Sequence, residues 1–145
     1  MKLKQLSLFL ENKPGALKLP CKRLADAGIN ILTLSLADTQ QYGILRLIVD
    51  DWKKAKETLE FHNTVVNVAD VVAIEIEDHP GGLSSILEKL EEAGINIEYM
   101  YACTFGRNGK AILIFKLENI DSAIAQLQKK GINLVDSVDL KMKMS

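Results

Sequence analysis

The chain has 145 residues, of which 48% are hydrophobic and 26% charged, and its formal net charge is −1. That length suits one ordinary domain or two small ones, and the near-neutral charge gives no long-range field to recruit nucleic acid or an anionic membrane surface. No apolar run approaches the roughly 20 residues of a membrane span, and Glu11 and Asn12 cut short the run that follows Lys2 and Lys4, which is unlike a signal peptide.

Leu6, Leu8 and Leu10 alternate with Gln5, Ser7 and Phe9, the period of a half-buried strand. The loop "ENKPG" at 11–15 follows and leads into a helix. Pro20 falls inside that helix, where a missing donor should kink it. Gly28 ends the helix in a left-handed conformation. A second strand is expected over Ile31 to Ala37, a third over "ILRLIVD" at 44–50, a helix over Trp52 to Phe61 and a last strand over Thr64 to Val68.

The order then starts again. Val72 to Glu77 alternates as a strand, and the loop "EDHPG" at 77–81 leads into a helix. Leu83, Ile86, Leu87 and Leu90 lie on one face of that helix, and Gly94 ends it. A strand over Ile97 to Cys103 leads to "GRNG" at 106–109, in which Asn108-Gly109 is a hairpin signal. A third strand over "AILIFKL" at 111–117, a helix over Asp121 to Lys130 and a strand over Asn133 to Val138 complete the set.

The two halves are copies. Residues 14–31 and 80–97 align without gaps and share nine of eighteen positions, among them Pro14/Pro80, Gly15/Gly81, Leu17/Leu83 and the run Ala27–Ile31/Ala93–Ile97. The offset then grows by two, so that Ala55 faces Ala123 and Leu59 faces Leu127. A structural unit used twice is the reading, with units at 1–69 and 70–145. Each has the order βαββαβ. The fold class is α+β: two tandem ferredoxin-like units, each an antiparallel sheet with both helices on one face. A unit of this size buries only a thin core. The units are therefore expected to pack closely, through joined sheet edges or apposed helices. A homodimer would cover remaining edges.

The paired loops carry the chemistry of interest. Pro14 and Pro80 suit a first helical position, where the missing N–H has no partner anyway. Gly15 and Gly81 leave room for a ligand or a second backbone. The N–H groups at a helix start favour a carboxylate, while Asn12 or Asp78 can hold an amine or cap the loop. Asn30 and Asn96 stand at the heads of the second strands. A zwitterion needs donors for its carboxylate and acceptors for its ammonium, and such a loop with a neighbour's second strand could supply both. A Pro-Gly turn is also a common structural device that duplication copies, so the residues alone leave the ligand role open.

Other residues are weighed in the same way. His79 is either a pH-sensitive ligand contact or a solvated loop residue, and His62 is read as solvated. Ser84 and Ser85 are candidate donors or ordinary surface serines. Tyr99 and Tyr101 share a strand face and read chiefly as packing residues. Arg107 is expected at a solvated hairpin tip. Cys21 and Cys103 are expected as reduced, buried packing residues. No metal-ligand spacing and no nucleophile with its base can be assembled, so no metal, no cofactor and no enzymatic activity are expected.

The pattern of strand, "ENKPGAL" or "EDHPGGL", amphipathic helix and "AGINI" resembles the ACT domain family, and both halves carry it. The resemblance implies a stand-alone tandem ACT protein that senses an amino acid. In the family, ligands sit between modules, held by the first loop of one and the start of the second strand of its neighbour. That implies ligand contacts at Asn12, Lys13, Pro14, Gly15, Ala16, Asn30 and Ile31 in the first unit. In the second it implies Asp78, His79, Pro80, Gly81, Gly82, Leu83, Asn96 and Ile97. Asn12 and Asn30 match the asparagines of serine-sensing members, whereas Asp78 puts an anion where the family often has an amide. The expected function is a cytoplasmic regulator that binds a small free amino acid and modulates a separate metabolic enzyme or its own assembly, with no nucleic-acid or membrane partner. The alternative is a ligand-free structural subunit of the same fold.

Overall fold

The computed structural model describes residues 1–38, 40–103 and 108–144. Within it the elements run β1 (Leu3–Glu11), α1 (Lys18–Asp26), β2 (Ile31–Asp38), β3 (Tyr42–Val49), α2 (Trp52–Phe61) and β4 (Asn67–Glu77). They continue through α3 (Gly82–Glu92), β5 (Ile97–Ala102), β6 (Lys110–Leu117), α4 (Ile120–Lys129), β7 (Leu134–Val135) and α5 (Ser137–Met144). The chain divides into two compact units, Lys4–Ala69 and Asp70–Ser145, the latter with Met1–Leu3.

In the first unit β3 lies between β1 and β2, antiparallel to both, with Leu6 opposite Leu47 and Leu8 opposite Leu45. The period-2 alternation puts Leu6, Leu8, Leu45, Leu47 and Val49 on one face. Leu24 of α1 and Ala55 and Leu59 of α2 close over them, and all are buried. The second unit repeats the plan. β6 lies between β4 and β5, and β7 pairs with the other edge of β4. Its core joins Ile74, Leu113 and Phe115 from the sheet to Ile86 and Leu90 of α3 and Ala123 and Leu127 of α4. Each fully buried leucine or isoleucine contributes about 1.5–3 kcal/mol of transfer free energy. Two βαββαβ units with antiparallel sheets and helices on one side are thus what the alternation patterns specify. The opposite sheet faces are not all solvated: Gln5, Thr33, Ile48, Val71, Ala73, Ile112 and Ile114 are buried as well.

The repeated "AGIN" has a shared structural cause. In α1 the Gly28 N–H donates to Ala25 O and the Ile29 N–H to Leu24 O; in α3 Gly94 and Ile95 donate to Glu91 and Leu90. This is the Schellman closure, and it needs the positive φ of 73° at Gly28 and 68° at Gly94. β2 and β5 then carry the same irregularity, at Ile31/Thr33 and Ile97/Tyr99. Asn108 and Gly109 both take positive φ before β6, as a hairpin signal requires. Gly106 and Arg107 lie outside the described residues.

Several expectations are corrected. Pro20 does not kink a helix: α1 starts at Lys18, so Pro20 sits in the first turn, where N–H groups have no intrahelical acceptor. It is buried, as is Ile86 at the equivalent place in α3. Pro14 and Pro80 are not first helical residues, because α1 and α3 begin at Lys18 and Gly82. The strand expected over Thr64 to Val68 starts only at Asn67 and continues without a break to Glu77, so that it and the strand expected over Val72 to Glu77 are one strand, β4. The strand expected over Asn133 to Val138 is reduced to Leu134–Val135, and α5 follows. Asp136 ends that strand by capping α5: its carboxylate accepts the Asp139 N–H at 2.8 Å, and fully buried Leu140 anchors the helix. Leu83 faces outward, 39% exposed, although Ile86 and Leu90 are buried. Cys21 and Cys103 form no disulfide and are half-buried rather than buried, and partial burial raises the Cys21 thiol pKa.

Candidate functional site

Both Pro-Gly loops fold into the same turn. The Gly82 N–H donates to His79 O at 3.0 Å, and the Ala16 N–H to Lys13 O at 3.3 Å. Proline at the second place and a glycine at positive φ at the third, 89° at Gly81 and 84° at Gly15, make both type II turns. The turns are tied to their sheets through Asp78 N–H to Gly109 O at 2.8 Å and Asn12 N–H to Gln41 O at 3.2 Å. Gly82 is fixed by crowding, since a Cβ there would lie 2.0 Å from the Glu77 carbonyl oxygen. The first loop has Ala16 at that place, and its helix starts two residues later.

At the mouth of α3 the turn opens on a groove of about 370 Å³, within the size range of small-ligand sites. His79, Gly81 and Gly82 form one wall, and Ser85 and Lys89 continue it along the helix. Glu75, Glu77 and Lys110 come from β4 and β6, and Asn133 from the turn before β7. The groove is electrostatically two-sided. The Lys110 ammonium donates to Glu77, and this hydrogen bond is the main cause holding the Glu77 carboxyl below its ordinary value of 4.5. The Asn133 amide donates to Glu75 at 2.9 Å. Lys89 is half-buried and has no side-chain partner among the described residues. The His79 ring donates from Nδ1 to Pro80 O at 2.8 Å, which leaves Nε2 of the neutral ring as an acceptor. The start of α3 adds backbone N–H groups that helix geometry leaves without intrahelical acceptors.

The first unit has a groove at the same place, of about 590 Å³, lined by Lys13, Ala16, Leu19, Pro20 and Arg23 beside Phe9, Leu10 and Glu11 of β1 and Asn63, Thr64 and Val65 after α2. The repeat offset maps these onto the second groove position by position, yet the chemistry differs. Phe9, Leu19 and Val65 stand where Glu75, Ser85 and Asn133 stand in the copy.

The remaining residues singled out from the sequence lie elsewhere. Asn12, Pro14, Gly15, Asp78 and Pro80 are exposed turn residues outside the groove linings, and Leu83 points away. Asn30 exchanges backbone bonds with Asp50, accepting its N–H and donating to its carboxylate at 3.1 Å. Asn96 borders a separate crevice of about 110 Å³ with Glu118, Asn119 and Gln126. Ile31 and Ile97 open β2 and β5 and pair with Val49 and Leu117. Within a unit the loop and the strand head lie at opposite ends of a helix, about 16 Å apart for the 11 residues of α3. A single unit therefore does not bring Asp78 and Asn96, or Asn12 and Asn30, to one ligand. The groove adds Glu75, Lys89, Lys110 and Asn133, and Arg23 in the first unit. Lys89 and Arg23 follow Ser85 and Leu19 at helical spacing, a pattern legible in the sequence. Asn133 and Val65 arrive from distant turns that no local pattern announces.

Among the described residues no group of three or more His, Cys, Asp or Glu is placed to hold a metal, and no helix is long and apolar enough to cross a membrane. A family model described as an ACT domain pair matches residues 1–144. No curated protein matches the chain. Among solved structures, protein BT0572 from Bacteroides thetaiotaomicron is 40% identical, covering 97% of this chain and 96% of its own, with a TM-score of 0.90. The regulatory subunit of aspartate kinase from Thermus thermophilus, in its ligand-free form, is 16% identical over 87% of this chain and 91% of that one, at TM-score 0.60. Its counterpart from Thermus flavus is 16% identical over 87% and 90%, at TM-score 0.62. The last two likenesses are of fold alone.

Proposed function

The chain belongs to the ACT domain pair family, and from that premise we propose that it is a cytoplasmic regulatory protein that binds a small free amino acid at the mouth of α3. The observation that carries this reading is the two-sided groove of the second unit. Lys89 and the N–H groups at the start of α3 suit a carboxylate, and Glu75, Glu77 and His79 Nε2 suit an ammonium. A side chain with polar or cationic ends fits the remaining lining best.

The strand heads complete the proposal. Because α3 separates the loop from Asn96, a second copy of the chain supplies Asn96 or Asn30 to its partner's loop, and the working form is a homodimer. Ligand binding then favours one packed state of that assembly over another, and a separate metabolic enzyme reads the difference. The Thermus regulatory subunits give a precedent for the fold in such a role.

A thermal-shift panel of the twenty amino acids on the full chain tests this. One or a few should raise Tm, by RT ln(1 + [L]/Kd) in free-energy terms, and Lys89→Ala should remove the shift while leaving the unliganded Tm within a degree or so. No shift from any of the twenty favours the ligand-free structural subunit instead.

A further inference from the structure

The grooves of the two units occupy one place in the repeat and share one turn, so each serves as a control for the other. The two grooves differ in the side chains that line them. Phe9, Leu19 and Val65 are 62%, 50% and 74% exposed, an unusual display of large apolar side chains on one rim. The copy has Glu75, Ser85 and Asn133 at these places, so the fold itself does not demand apolar residues there. Two charged features are kept, and Glu11 stands where Glu77 stands. Arg23 stands where Lys89 stands, half-buried, in the groove wall and without a side-chain partner among the described residues. Lys13 adds a second positive charge at the rim, shared with Glu11 at 2.9 Å.

We propose that the first groove binds a free amino acid with an aliphatic or aromatic side chain, so that the chain reads two chemically different amino acids through two copies of one site. This rests on the amino-acid reading of the second groove and extends it. The Arg23 guanidinium takes the carboxylate, Glu11 and the carbonyls of the turn after α2 take the ammonium, and Phe9, Leu19 and Val65 cover the side chain. The first groove's volume of about 590 Å³, against about 370 Å³ in the copy, lies within the size range of small-ligand sites. An unpartnered half-buried cation among apolar walls fits a ligand that brings one carboxylate and otherwise hydrocarbon.

The test is isothermal titration of the full chain with L-leucine, L-isoleucine and L-phenylalanine, on wild type, Arg23→Ala and the double change Leu19→Ser with Val65→Asn. The double change borrows residues that the second unit already carries at those places, and circular dichroism checks that both variants fold. At least one of the three amino acids should bind, with Kd raised about tenfold or more in each variant, through one lost charged hydrogen-bond partner in Arg23→Ala and through lost apolar burial in the double change. Arg23→Lys should restore part of the affinity. The proposal is overturned if none of the three binds, or if binding survives both variants. It is also overturned if the double change alters sedimentation mass without altering affinity, which would make the rim a contact between copies. A polar amino acid that still binds in a Lys89-dependent way would show that only this extension has failed. Silence from all twenty amino acids would remove the reading of both grooves.

Discussion

Pro20 and Ile86 occupy the same place in the repeat and are both buried, yet they stand in different surroundings. α3 begins at Gly82, so the Ile86 N–H lies within the hydrogen-bonded part of the helix. α1 begins two residues later in the repeat, so the same place falls in its first turn. The local cause is the pair Gly82 and Ala16. Without a side chain, Gly82 packs onto the Glu77 carbonyl, and the helix can start at once. The two mouths thus share a turn but not a helix start, and their grooves share a position while their chemistry differs.

Reciprocal swaps are the strongest way to break this comparison. Ile86→Pro should cost about 3 kcal/mol or more, through a lost bond and a clash with the preceding turn. Pro20→Ile should stay within about 1 kcal/mol, because no helix bond is at stake. Urea melts of the two variants measure the gap, and equal losses would mean that α1 and α3 start at equivalent residues. Next in size, Gly82→Ala forces its Cβ onto backbone and should cost roughly 1–3 kcal/mol. Ala16→Gly in the other loop should cost about 1 kcal/mol at most.

Smaller effects separate the second helices. Asp51 caps α2 by accepting the Lys54 N–H at 3.1 Å, whereas the equivalent Asn119 takes φ 52° and makes no side-chain cap bond. Asp51→Ala should therefore cost about 1 kcal/mol, while Asn119→Gly should be neutral or slightly stabilising, since a left-handed residue suits glycine. The smallest effect is the pH dependence of Glu77. Its carboxyl is held below 4.5 in the folded protein, so its contribution is fully present above that value and is lost as pH falls through the lower folded value. The Tm advantage of wild type over Glu77→Gln should hold at neutral pH and fade toward pH 3. An advantage that grows on acidification would mean that folding raises the Glu77 carboxyl instead of lowering it.

Much of this was legible in the residues because alternation and repetition are local or self-referential. Leu6, Leu8 and Leu10, the "AGIN" closures and the shared offset dictate the strands, the helix ends and the second unit. What escaped depends on competition between neighbours. Whether Pro80 or Gly82 starts a helix is decided by the approach of Glu77. Whether 133–138 stays a strand is decided by Asp136 capping α5. Leu83 keeps helical spacing with Ile86 and Leu90, yet it sits at the helix start, beyond the reach of the core. For the candidate site, the Pro-Gly turns located the mouths, and His79, Gly81 and Gly82 line one of them. The polarity that distinguishes the grooves comes from Glu75, Lys110 and Asn133, which only the folded unit brings beside Lys89.

Amide NMR of the isotopically labelled chain, titrated with whichever amino acid gives the largest thermal shift, shows where that ligand binds. If that ligand sits at the mouth of α3, the amide signals of Gly81, Gly82, Ser85 and Asn133 move together and report one dissociation constant. A ligand that binds and leaves those four unmoved would place the site away from the mouth of α3.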